Sequence, residues 1–103
     1  MLQLIMIRQG DADTISETIS GLESLSGYSA KMYIKHQDGT ELDTLIGTID
    51  GLVITYEIIN ESSKLYPIGK YYFETKIWDA IDHVYTPSFG RFIILTTLQN
   101  DPS

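Results

Sequence analysis

Apolar and polar residues alternate along most of this chain with a period of two, the repeat of a strand buried on one face. Tyr28, Ala30, Met32 and Ile34 take one face of a strand, and Ser29, Lys31, Tyr33 and Lys35 the other. "HQDGTE" follows, and its Asp38-Gly39 pair predicts a tight turn because both central positions tolerate positive φ. A strand over Glu41–Thr48 is predicted to return from it, and Asp50-Gly51 marks the next reversal. Leu52, Ile54, Tyr56 and Ile58 then alternate with Val53, Thr55 and Glu57. Nearer the N-terminus, Leu2–Arg8 reads as a strand, "QGDAD" as a turn and Thr14–Ile19 as a short strand.

"NESSKLYPIG" breaks the alternation. Asn60 is placed to cap one helical turn through Lys64, and Pro67 and Gly69 end that turn. The stretch "GKYYFETKIWDAIDHVYTPSFGRF" then resumes it. Tyr71, Phe73, Thr75 and Ile77 share one face, while Tyr72, Glu74, Lys76 and Trp78 share the other. "DAID" turns the chain, and His83–Thr86 and Phe89–Leu95 run back alongside, with Phe92 and Ile94 inward. No segment keeps apolar residues at helical spacing for three turns. About seven short antiparallel strands, with turn signals every eight to twelve residues, predict an all-β sandwich. One domain is expected over residues 1–99, with a loose tail at 100–103.

Composition narrows the chemistry. The 103 residues include no cysteine, so disulfides, thiol nucleophiles and zinc–thiolate sites are all excluded. Leu2–Ile7 has no basic segment before it and no small-residue cleavage site after it, so no secretory signal is expected. No apolar run approaches the roughly 18 residues of a membrane helix, so insertion is not expected either. Fourteen Asp and Glu stand against seven Lys and Arg. Lys31, Lys35, Lys64, Lys70, Lys76 and Arg91 are dispersed singly along the chain, which argues against nucleic acid as a ligand.

Candidate catalytic and metal groups are sparse. His36 and His83 flank turns, and no serine sits in a G-x-S-x-G elbow, so no nucleophile–base pair is expected. Asp79, Asp82 and His83 cluster at one turn, and Asp11 and Asp13 at another. Neither spacing matches a calcium loop, and turn aspartates commonly bond their own backbone. No phosphate- or dinucleotide-binding glycine motif occurs, so neither cofactor nor metal is expected. Tyr33, Tyr72 and Trp78, all outward, are the rings available to a protein partner or a sugar. The apolar strand at Leu2, Leu4, Ile5 and Ile7 is a second contact candidate. One of its faces (Leu2, Leu4 and Met6, or Ile5 and Ile7) should meet the core, leaving the other outside on an unguarded edge.

The order of motifs resembles a known family. "RQGD" ends the first strand; "SAKMYIKHQDGTEL", "LVITYEI" and "LYPIGKYYFETKIWDAIDHVYTPSFGRFII" follow. Gly10-Asp11, Gly69-Lys70-Tyr71-Tyr72, the Asp79–Asp82 turn, Tyr85-Thr86 and Gly90-Arg91-Phe92 match the immunoglobulin-like domain of phage tail and baseplate proteins. The resemblance implies an immunoglobulin-like β-sandwich and a virion structural or adaptor role, assembled in the bacterial host. Other phage structural proteins and further copies of the chain would be its partners, with no catalytic residues. A carbohydrate-binding module using Tyr33, Tyr72 and Trp78 is the alternative.

Overall fold

The computed structural model describes residues 3–81 and 83–96. Leu2, Asp82 and the expected tail at 100–103 lie outside the described residues. Among the described residues eight strands form two sheets. In chain order they are β1 (Leu4–Arg8), β2 (Asp13–Thr18), β3 (Ser29–Lys35), β4 (Glu41–Ile46), β5 (Thr48–Asp50), β6 (Val53–Ile58), β7 (Gly69–Trp78) and β8 (Val84–Leu95). One sheet has the order β1-β8-β7-β3-β4 and the other β2-β6-β5. Every pairing is antiparallel except β1 with β8, which is parallel over Leu4↔Arg91 to Arg8↔Leu95. The expectation of an all-β immunoglobulin-like sandwich holds.

The predicted faces hold as well. Met32, Ile34, Tyr71, Phe73, Ile77, Phe92 and Ile94 are buried from the five-stranded side, and Ile15, Ile54, Tyr56 and Ile58 from the other. At β1 the structure selects Ile5 and Ile7 as core residues and leaves Leu4 and Met6 about half exposed, at 54% and 53%. Ile5 and Ile7 are therefore not outer contact residues, a correction to the expectation above. The tight turn at Asp38-Gly39 is present: Gly39 has φ 91° and the Asp38 carboxylate accepts the Thr40 N–H at 2.9 Å. Tyr71, at the start of β7, donates its hydroxyl to the Pro67 carbonyl at 2.6 Å. This ties the strand to the corner preceding it, as in a tyrosine corner.

Three local expectations change. Asn60 is the first residue of the short helix α1 (Asn60–Ser63) rather than its cap; Ile59 holds the cap position without a side-chain bond. The predicted Glu41–Thr48 strand divides at Gly47, where the chain leaves one sheet for the other. A Cβ there would lie 2.7 Å from Ile54 and 2.9 Å from Tyr56, so only glycine lets the crossing pack against the core. Conversely, the two predicted pieces after His83 are one strand, β8. Pro87 cannot donate to the ladder, and the β7·β8 register shifts between Thr75 and Ile77.

At that irregularity the Thr75 hydroxyl, fully buried, accepts the Ser88 N–H at 3.0 Å and lies 3.2 Å from a Glu17 carboxylate oxygen. Thr75→Val keeps the shape but removes the buried hydroxyl that accepts the Ser88 N–H and reaches the Glu17 carboxylate. It should cost about 1–3 kcal/mol in a denaturant melt, the cost of an unmade buried bond. No loss of stability would mean that another acceptor takes that amide.

Candidate interaction surface

Side chains alternate across β1, β8, β7, β3 and β4, so inward positions fix which residues point out. Outward on β3 stand Lys31, Tyr33 and Lys35, and on β7 Lys70, Tyr72, Glu74, Lys76 and Trp78. Register sets them side by side: Lys31↔Lys76, Tyr33↔Glu74, Lys35↔Tyr72 and Ser29↔Trp78. Arg91 of β8 joins the row opposite Tyr72 and Leu4, and Arg8 ends β1 opposite Leu95. Six of the chain's seven Lys and Arg residues therefore share one sheet face, and only Lys64 stands elsewhere. Among the described residues two carboxylates share the face, Glu74 and, opposite Lys35 at the edge, Glu41.

A chain of net charge −7 thus carries a locally basic surface, with most of its carboxylates elsewhere. The cations are dispersed in sequence but gathered in space, which corrects the premise of isolated charge. At physiological salt the Debye length is about 8 Å, so carboxylates on the far sheet scarcely reach this face.

Aromatic and apolar side chains interleave with the cations. A shallow depression of about 350 Å³ is lined by Lys31, Tyr33, Lys35, Glu74, Lys76, Trp78 and Val84. The Lys31 ammonium lies 5.9 Å from the Trp78 ring centre, and that of Lys35 5.9 Å from the Tyr33 ring. Lys35 also meets Glu74 at 3.6 Å, and Lys76 donates to the Thr86 hydroxyl at 2.8 Å. A second depression of about 470 Å³ lies among Gln3, Tyr72, Phe89 and Arg91. Leu4, Met6, Tyr72, Phe89, Val84 and Ile46 are exposed around these two hollows. Of the contact candidates read from sequence, the structure brings Tyr33, Tyr72, Trp78 and Leu4 to this one face. It buries Ile5 and Ile7, and Leu2 lies outside the described residues. Arg91 and the lysines were missed as a group because their proximity depends on strand order.

The two histidines are absorbed locally. His36 packs edge-on against Tyr71, with ring centres 5.1 Å apart. His83 Nδ1 lies 2.9 Å from the Asp79 carboxylate, which also accepts the His83 and Ile81 amides at 2.9 and 3.0 Å. The His83 amide leads these bonds in holding the Asp79 carboxyl below the usual range. Asp79 thus organises its own turn. Among the described residues, no three His, Asp or Glu side chains are grouped so as to hold a metal ion. Burial, followed by the nearby Glu17, pushes the Tyr56 phenol up, so Tyr56 is a neutral core residue.

No family model matches the sequence. No curated protein matches it either. Solved structures do match the fold. CopC from Methylosinus trichosporium OB3b aligns with TM-score 0.61 at 9% identity, over 97% of this chain and 91% of that one. A fibronectin(III)-like module of Clostridium thermocellum CbhA aligns at 0.54 and 13%, over 92% and 90% of the two chains. The extracellular domain of mouse leukocyte-associated immunoglobulin-like receptor 1, a strand-swapped dimer, aligns at 0.50 and 12%, over 91% and 89%. At such identities the likeness establishes the fold alone: an all-β sandwich of the immunoglobulin and fibronectin type.

Proposed function

We propose that this chain is a non-enzymatic module that works through protein–protein contacts made by the outer face of its five-stranded sheet. We further propose that those contacts build a phage tail or baseplate. One observation carries the first part: Tyr33, Tyr72, Trp78 and Arg91 share a broad face with exposed Leu4, Met6 and Phe89. Aromatic residues and arginine are the types enriched where protein surfaces meet. Exposed apolar clusters rimmed by polar groups mark such surfaces. The phage context rests on the resemblance of the sequence motifs alone.

The carbohydrate alternative is less favoured by the same geometry. A sugar stacks on an open aromatic face, whereas the Trp78 and Tyr33 rings each already have a lysine ammonium 5.9 Å from their centres. Catalysis has no support in the histidines, since His36 packs on Tyr71 and His83 is held by Asp79 within its own turn.

The test is composition of particles. In gradient-purified phage or prophage particles from the source strain, mass spectrometry should find this chain at a fixed ratio to the major tail protein. Its absence from particles, with the chain free in the lysate, would remove the virion role.

A further inference from the structure

We infer that the partner of this basic face is a second copy of the same chain, docked through the outer face of its three-stranded sheet. This rests on the protein-contact reading above and names its occupant.

The first observation is a local cost. Lys31 and Lys76 stand directly opposite each other in the β3·β7 register, and like charges so placed repel. Neither forms an ion pair among the described residues; Lys76 bonds a hydroxyl and Lys31 lies over Trp78. Such a pair is relieved by a carboxylate placed between the two ammonium groups. Rule-breaking positions of this kind are expected where a surface has a partner.

The second observation is where such carboxylates occur. The outward positions of β2, β6 and β5 carry Thr14, Ser16, Thr18, Thr48 and Thr55 together with Asp50, Glu57 and one apolar residue, Val53, and no Lys or Arg. Glu57 and Asp50 are both exposed. The same chain therefore presents a basic aromatic face on one sheet and an acidic hydroxyl face on the other.

Symmetry decides the mode. A two-fold contact would set the basic face against itself and bring Lys31 and Lys76 towards their own copies. A head-to-tail contact pairs opposite charges, and a head-to-tail contact closes into a ring or extends into a filament. Each copy then keeps one face free for the next.

The experiment is sedimentation velocity of the purified chain at tens of micromolar, in low and in high salt. The wild-type chain should associate at low salt and dissociate at high salt, because exposed charge contacts are screened. Lys31→Glu with Lys76→Glu cancels the net positive charge of the basic face and leaves it nothing to offer the acidic one, and Asp50→Lys with Glu57→Lys makes the acidic face basic, so that both faces repel. Each double variant alone should be monomeric, its self-association weakened about tenfold or more. An equimolar mixture should regain 1:1 complexes. All four substitutions are at outward positions, and melting curves show whether each variant remains folded. A wild-type chain that stays monomeric at low salt, or folded variants whose mixture stays monomeric, would overturn the inference. Retention of single-stranded DNA by the wild-type chain, lost in the lysine variant and without self-association, would assign the face to another polyanion and also overturn it. Exclusion of the lysine variant from particles while the wild-type chain is monomeric would overturn only the choice of partner, leaving the protein-contact reading in place.

Discussion

Phe73→Ala should leave the chain largely unfolded at 37 °C. Phe73 is 3% exposed on the inner face of β7, opposite Ile34 on β3 and Gly90 on β8. Its ring belongs to the buried apolar cluster between the two sheets, so truncation leaves a void inside the core. Loss of a buried phenylalanine costs about 3–5 kcal/mol. A domain of this size has only about 5–15 kcal/mol in total, and no cysteine is available to tie the sheets together. Circular dichroism melts give the answer. A shift of only a degree or two would mean that Phe73 does not face the core.

Gly90→Ala should release the N-terminal strand. A Cβ on Gly90 would sit 2.0 Å from the Gln3 carbonyl oxygen and 2.6 Å from its carbon, both backbone atoms that no rotamer change can move aside. That oxygen accepts the Arg91 N–H at 3.1 Å, the bond that starts the parallel β1·β8 ladder. Relief requires β1 to move off the sheet edge, withdrawing Ile5 and Ile7 from the core. Burial of one such side chain contributes about 1.5–3 kcal/mol, so the loss should reach about 3 kcal/mol or more. Limited proteolysis should cut ahead of Gly10 in the variant and not in the wild-type chain. Equal resistance would mean that the edge absorbs the methyl group without detaching β1.

Alternation made most of the sandwich legible before any coordinates. In β3, β6 and β7 each inward residue is followed by an outward one, and the predicted faces are the observed ones. The misses arise where backbone, not side-chain pattern, decides. Gly47 interrupts the segment Glu41–Thr48 that reads as one strand, and its missing Cβ lets the chain change sheets. The gap left between the expected pieces His83–Thr86 and Phe89–Leu95 is bridged, because the Thr75 hydroxyl takes the Ser88 amide there and β8 continues. The contact surface was legible only in part. Tyr33, Tyr72 and Trp78 were outward by parity alone. The gathering of Arg8, Lys31, Lys76 and Arg91 requires knowing that β1 lies parallel to β8 at the sheet edge and that β3 lies beside β7. No local spacing encodes that order.

On the proposed function, protein covers the outer face of the five-stranded sheet in the assembled state. Lysine acetylation read by mass spectrometry tests it most directly, because Lys64, the one cation off that face, is an internal control. Lys31 and Lys76 should be strongly protected in purified particles relative to the free chain, with Lys64 labelled alike in both. Equal labelling of Lys31, Lys76 and Lys64 in particles, as in the free chain, would mean that the face stays open to solvent and has no protein on it.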